Sequence, residues 1–112
     1  MKSYWFWILA STFLSEQPTV DIGKEIYKER CKVCHGERGN VNPFAASVLD
    51  PPPRNFTLEK SKRELSKTRM IQSVTEGRAG TAMMPWQGIL TQNEIQSVVN
   101  FIREKFMQVD SP

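Results

Sequence analysis

Three stretches of the chain carry apolar side chains at helical spacing, and little of the sequence alternates in the way a strand requires. The first stretch covers residues 19–31, the second covers residues 66–76, and the third runs from a capping box at Thr91 to about Phe106. An apolar stripe of this kind buries one helix face against a neighbouring element. The pattern therefore predicts an all-α domain of about three to four helices joined by long loops.

Gly23 lies inside the first predicted helix, where a glycine costs about 1 kcal/mol relative to alanine. Its missing side chain would let another helix approach closely at that point. A tolerated surface glycine is the alternative interpretation. We expect a helix crossing at Gly23, because such a contact would explain the residue.

A proline-rich stretch separates the first two predicted helices. Three consecutive prolines at residues 51–53 have no backbone donors and hold an extended course. Phe44, Leu49 and Phe56 flank them and need an apolar surface to cover. We interpret the stretch as a rigid strap over the edge of an apolar pocket, and a free polyproline segment that binds a partner is the alternative.

Residues 1–15 differ in composition from the rest of the chain. Met1 and Lys2 give a positive start, and an uncharged, largely apolar run of about eleven residues follows up to Leu14. That run suits the core of a signal peptide and falls short of the ~20 residues of a membrane-spanning helix. A cleaved signal peptide and an uncleaved hydrophobic segment at the membrane surface both stay open. Either one predicts export of a domain that covers residues 19–107.

Length and composition indicate one small domain. A chain of 112 residues with 39% hydrophobic residues has little apolar material for an unaided core, which a covalently attached group would enlarge. The formal charge of +3 is mild, and no cluster of basic residues is interleaved with aromatic ones. We therefore expect no nucleic-acid partner.

The most specific chemical signal is the pattern Cys-x-x-Cys-His at Cys31, Cys34 and His35, which is typical of a c-type haem attachment site. Two thiols three residues apart face the same side of a helical turn, where they can add to the two vinyl groups of a haem. His35 then stands below the centre of the ring and can give the iron an imidazole nitrogen. We expect one haem c, covalently bound through Cys31 and Cys34.

Three other kinds of site compete for these residues. A disulfide between Cys31 and Cys34 would be strained and would leave His35 without a role. A zinc site needs four protein ligands, and the chain has no other cysteine or histidine. A thioredoxin-like redox pair belongs in a βαβ setting, of which the sequence shows little sign.

Met84 is a candidate for the second iron ligand because it precedes Pro85. A residue before proline is held in extended backbone geometry, so its side chain projects away from the path of the chain. A methionine together with a histidine is a known ligand pair of haem iron. Met83 competes from the adjacent position, and either methionine can instead be ordinary core filler.

With these parts in order, the chain resembles the class I cytochromes c over about residues 20–106. The resemblance rests on Gly23 and Tyr27 ahead of Cys31-x-x-Cys34-His35-Gly36, on the proline-rich strap, on a helix ending at Gly77, and on Gly80-Thr81-Ala82-Met83-Met84-Pro85-Trp86, which is similar to the methionine-ligand loop of the family. It implies a cytochrome c fold wrapped around one covalent haem c, with the methionine before proline, Met84, as the second iron ligand. It also implies that the first and last helices cross through Gly23, Tyr27 and Phe101.

Further cofactor contacts are expected at Arg54, Pro43 and Trp86. Arg54 follows the rigid strap, so its guanidinium can be held against a haem propionate. A dry apolar wall around the haem is expected from Ile22, Ile26, Phe44, Leu49, Phe56, Met70, Ile71, Val74, Trp86 and Leu90.

The resemblance implies outer-sphere transfer of one electron, because protein ligands would fill both axial positions of the iron. The first hypothesis is a periplasmic electron carrier, not itself an enzyme, whose donor and acceptor redox proteins dock at the exposed haem edge. The second is a cytochrome subunit fixed in a larger respiratory or dehydrogenase complex, associated with the outer face of the cytoplasmic membrane through residues 1–15. The third is a haem-based sensor or gas-binding protein in which Met84 leaves the iron.

Overall fold

The computed structural model describes residues 18–109, so the segment 1–15 that is expected to direct export lies outside the described residues. Within residues 18–109 every regular element is a helix and no strand is present, which confirms the all-α class. In chain order the elements are Val20–Ile26 (α1), a π-helical turn Tyr27–Cys31, Lys32–His35 (α2), Pro43–Val48 (α3), Glu59–Glu64 (α4), Lys67–Glu76 (α5), Gln92–Ile102 (α6) and a second π-helical turn Arg103–Met107.

The part of the chain that the structure describes thus contains five continuous helices, because the first π-helical turn joins α1 to α2 and the second extends α6. The three helices predicted from periodicity are all present. The two additional ones, α3 and α4, have six residues each and bury only Ala45 and Ser61 respectively. Fewer than two full turns with one buried residue leave no periodic stripe in the sequence, so these helices could not be recognised from it.

Side chains close the helix ends where the sequence has capping residues. Thr19 Oγ1 accepts a hydrogen bond from the amide of Ile22 at the start of α1. At the start of α6, Thr91 and Glu94 form the predicted capping box, with both of its hydrogen bonds present. Capping of this kind satisfies amides that have no partner within the helix.

The crossing of α1 and α6 explains Gly23. A Cβ atom on Gly23 would overlap the carbonyl oxygen of Ser97 and would lie 2.9 Å from Cβ of Phe101. One turn later the ring centroids of Tyr27 and Phe101 are 5.6 Å apart. Thr19 also donates its amide hydrogen to Ser97 Oγ at 3.1 Å. The expected contact of the two helices through Gly23, Tyr27 and Phe101 is therefore confirmed.

The buried core is built mainly on α6. Ile95, Val98 and Val99 are fully buried, and Val98 and Val99 also line a large cavity. The same helix thus supports the crossing with α1 and forms part of the cavity floor. No helix among the described residues has both the length and the apolar character needed to cross a membrane.

Candidate functional site

A cavity of about 360 Å³ lies between α2, the proline-rich strap, α5, the loop after α5, and α6. This volume is within the range of roughly 300–1,000 Å³ that is usual for small-molecule sites. Its apolar lining includes Phe56, Val74, Val98, Val99 and Ile102. The three strap prolines, residues 51–53, also line it. The interpretation of these prolines as a strap over an apolar pocket is confirmed.

The helix that begins with α1 brings Cys31, Cys34 and His35 to this cavity, and all three side chains line it. Cys31 ends the π-helical turn, a kind of helix irregularity that is frequent at functional sites. Both cysteines are free thiols. Burial raises the pKa of the Cys31 thiol to about 12, and the neighbouring Cys34 adds to the shift. The two thiols therefore stand side by side on the wall of one apolar cavity.

His35 is fixed from two directions. Its Nδ1 lies 3.0 Å from the carbonyl oxygen of Arg54, and its ring stacks on Phe56 with centroids 4.6 Å apart and planes inclined by 19°. Since a carbonyl oxygen only accepts, Nδ1 carries the hydrogen and Nε2 keeps its lone pair. Burial lowers the pKa of His35, and the hydrogen bond to Arg54 partly opposes this. A neutral imidazole with a free Nε2 is the form that binds a metal ion.

The turn that follows His35 is tied back to the motif. Tyr27 donates its hydroxyl hydrogen to the carbonyl oxygen of Gly36 at 2.6 Å. The amides of Val41 and Asn42 donate to the carbonyl oxygens of His35 and Cys34 at 2.7 and 3.0 Å. These bonds hold the backbone at the C-terminal end of the motif, from Cys34 to Gly36.

Three methionines line the cavity, and their surroundings differ. Met70 is buried and its sulfur lies 3.5 Å from Nη1 of Arg103, which donates to it. Met83 is partly buried against the core. Met84 is 44% exposed. The predicted ligand Met84 and its competitor Met83 thus both reach the same cavity as His35.

Arg54 contacts His35 through its backbone carbonyl oxygen, whereas the sequence suggested a role for its guanidinium. Its backbone carbonyl holds His35, while its guanidinium pairs with the carboxylate of Glu64 at 2.9 Å. The hydrogen bond from Arg54 is the main cause that lowers the pKa of Glu64. In the sequence every residue offers a carbonyl, so no residue type signals this role.

Of the other predicted contacts, Trp86 lines the cavity and Pro43 does not. Pro43 is the first residue of α3, where Asn42 caps the helix by accepting hydrogen bonds from the amides of Phe44 and Ala45. This cap leaves Pro43 exposed at the surface. Pro43 is therefore not among the residues that line the cavity, and its expected contact with the cofactor stays a prediction.

Half of the predicted apolar wall surrounds the cavity. Leu49, Phe56, Met70, Val74 and Trp86 line it, whereas Ile22, Ile26, Phe44, Ile71 and Leu90 do not. Ile26 and Leu90 are buried in the core instead, and the side chain of Phe44 is 74% exposed. The predicted wall did not include the α6 residues that line the cavity, Val98, Val99 and Ile102. An apolar stripe in a sequence does not indicate whether it packs on another helix or lines a cavity.

The residues around this cavity fit a haem c. They provide two thiols, a neutral imidazole with Nε2 free, thioethers within the same cavity, and apolar walls. Three arginines that line it, Arg30, Arg69 and Arg78, suit the carboxylates of a haem, whereas the guanidinium of Arg54 pairs with Glu64. Among the described residues no three Cys, His, Asp or Glu side chains come together as a metal site.

Comparisons with known proteins agree with this chemistry. The family model for cytochrome c oxidase, cbb3-type, subunit III matches residues 18–102. The cbb3-type cytochrome c oxidase subunit CcoP of Azospirillum brasilense is 29% identical over 80 residues, which are 71% of this chain and 26% of that protein. The chain therefore spans about a quarter of the length of this relative.

Solved structures give the same result. The KustC0563 c-type cytochrome is 30% identical with a TM-score of 0.63, over 72% of this chain and 93% of that one. A chain of the Kuenenia stuttgartiensis reducing HAO-like protein complex Kustc0457/Kustc0458 is 28% identical with a TM-score of 0.64, over 80% of this chain and 44% of that one. The c-type cytochrome NirC, at 23% identity and a TM-score of 0.56, shares the fold.

Proposed function

Because this chain belongs to the c-type cytochrome family described as cytochrome c oxidase, cbb3-type, subunit III, we propose that it carries single electrons on one haem c held between His35 and Met84. The observation that supports this most is the convergence of Cys31, Cys34, His35 and Met84 on one apolar cavity. Electron transfer through a cytochrome c domain is the activity common to the family. The ligand pair and the single haem are our proposals.

In this proposal each residue has a definite task. Cys31 and Cys34 would hold the haem covalently, and Nε2 of His35 and the sulfur of Met84 would bind its iron. The group supplies a reversible one-electron change at iron. Phe56 and the carbonyl oxygen of Arg54 keep the imidazole in place and in one tautomer. The apolar walls would exclude water from a bound haem, which would disfavour the more highly charged oxidised state and raise the reduction potential.

We also propose where the protein works. Residues 1–15 would direct export to the periplasm or anchor the domain 19–107 to the outer face of the cytoplasmic membrane. Donor and acceptor would be redox proteins that dock through a small, transient interface at the exposed haem edge. Since CcoP is a subunit of an oxidase, a second candidate is a cytochrome subunit fixed in a larger respiratory complex. Gel filtration of native material separates a free carrier from such a subunit.

The proposed cofactor can be tested on denatured protein. Thioether bonds survive denaturant and axial bonds do not, so the polypeptide should keep its haem on a denaturing gel and through acid–acetone extraction. Cys31→Ser with Cys34→Ser should lose it. A colourless wild-type polypeptide, or one that contains zinc, would refute the proposal. Carbon monoxide binding by the reduced protein would instead favour a gas-binding role, because it requires an axial position that Met84 has left.

A further inference from the structure

We infer that the last turn of α5 and Gly77, which follows it, form the backbone support that positions Met84. Gly77 would be a positioning residue that acts on the iron through the backbone beneath Met84. This inference rests on the proposed role of Met84 as an iron ligand.

The first observation is the close fit of the chain over Gly77. A Cβ atom on Gly77 would lie 2.8 Å from the carbonyl oxygen of Met83, 2.8 Å from the nitrogen of Pro85 and 2.9 Å from the carbonyl carbon of Met84. Three backbone atoms cannot move aside as the end of a flexible side chain can. Gly77 also has φ 73° and ψ −177°, a conformation that is essentially restricted to glycine. A glycine that only ended α5 would not need to have the backbone of residues 83–85 packed against its Cα.

The second observation is a set of backbone hydrogen bonds that attach this segment to α5. The amide of Trp86 donates to the carbonyl oxygen of Val74 at 2.9 Å. The amide of Gln87 donates to the carbonyl oxygen of Thr75 at 3.3 Å. On the other side of Met84, the amide of Arg78 donates to the carbonyl oxygen of Met83 at 3.0 Å. Both sides of Met84 are therefore fastened to the last turn of α5 or to the residue just after Gly77.

The third observation is the place of Met84 in the cavity lining. Its side chain borders the cavity from a segment that is fastened to α5 on both sides, so its position depends on the backbone that carries it. A bond from a thioether to iron competes with an open state in which the methionine has left. Lifting the segment off α5 would shift that equilibrium toward the open state.

The experiment titrates ferric holoprotein with imidazole, which competes with Met84 for the iron. A larger open fraction raises the apparent affinity for imidazole in proportion. We expect Gly77→Ala to raise this affinity about tenfold and to weaken the sulfur-to-iron charge-transfer band. The control is Gly80→Ala, because Gly80 has φ 79° in the same loop and no atom within 4 Å of an added Cβ. Its affinity should stay within about twofold of wild type.

A second variant covers the case in which Gly77→Ala yields no holoprotein. Gln87 is the second residue of a turn closed by the amide of Ile89 and the carbonyl oxygen of Trp86 at 2.9 Å, a position that proline favours. Gln87→Pro removes the hydrogen bond to Thr75 at a turn position that accepts proline, and it should raise the imidazole affinity a few-fold.

The outcomes separate this inference from the proposal on which it rests. If a folded Gly77→Ala or Gln87→Pro variant binds imidazole with the affinity of wild type, the end of α5 does not position Met84. Equal effects of Gly77→Ala and Gly80→Ala would also overturn it, because the strain of the loop would then explain both. If Met84→Ala changes neither the band nor the imidazole affinity, the assignment of Met84 as ligand has failed.

Discussion

On one side of the cavity, His35 is held by the carbonyl oxygen of Arg54 at 3.0 Å and by the ring of Phe56 at 4.6 Å. On the other side, Met84 is 44% exposed and rests on backbone atoms around Gly77. We call these the His35 wall (Cys31, Cys34, His35, Arg54 and Phe56) and the Met84 wall (residues 81–86). The first fixes a side chain by direct contacts, whereas the second fixes a stretch of backbone. An iron ligand on the His35 wall should therefore be permanent, and one on the Met84 wall should be the one that opens.

The largest expected effect comes from removing the ring that supports the His35 wall. Phe56 is 6% exposed and stacks on His35, so Phe56→Ala leaves a cavity in the core and should destabilise the holoprotein by about 3–5 kcal/mol. The measurement is the free energy of unfolding from urea titration. Phe44→Ala is the control, because Phe44 is 74% exposed and its loss should cost no more than about 0.5 kcal/mol. Similar losses in both variants would show that the stacked ring does not support the wall.

The next effect concerns the helix that carries the His35 wall. Gly23→Val places a branched side chain against the carbonyl of Ser97 and should destabilise by about 1–3 kcal/mol, although helix propensity alone favours valine over glycine. Gly88→Val is the control, since nothing lies within 4 Å of a Cβ there and the change should stay within about 0.5 kcal/mol. A Gly23→Val protein that unfolds at the urea concentration of wild type would mean that α1 and α6 do not meet at this point.

The smallest effect concerns the ion pair of Arg54 with Glu64 at the edge of the His35 wall. The hydrogen bond from Arg54 lowers the pKa of Glu64 in the folded state. The ion pair therefore contributes its full stabilisation at pH values above the ordinary pKa of a glutamate. This stabilisation is lost as the pH falls through the lowered pKa of Glu64. We expect Glu64→Gln to lose a small part of the stability at neutral pH and none of it in acid. The reduction potential should stay unchanged, because the carbonyl of Arg54 holds His35 and its side chain does not.

Glu59→Gln is the matched control for this prediction. Glu59 lies on the same helix and pairs with Lys62 at 3.2 Å, away from His35. Urea titrations of both variants at neutral and acid pH give the comparison. A reduction potential that moves in Glu64→Gln and not in Glu59→Gln would mean that the ion pair takes part in holding the ligand.

The same contrast between the walls explains what could be predicted from the sequence. Cys31, Cys34 and His35 were recognisable because their chemistry requires those residue types at that spacing. Gly23 was recognisable because a glycine inside a helix needs a reason. Gly77 was predicted only as the end of a helix, since a glycine in that position has a sufficient explanation already. The role of the Arg54 carbonyl had no signal at all, because backbone acceptors are the same for every residue.

The most direct test of a haem held between these two walls is the ferric spectrum at the near-infrared edge, where a thioether bound to iron gives a weak charge-transfer band. We expect the band in wild type and in Met83→Ala, and we expect it to be absent in Met84→Ala. Its persistence in Met84→Ala, with loss in Met83→Ala, would contradict the assignment of the second ligand. A wild-type protein that has a covalent haem and no such band would contradict ligation by either methionine.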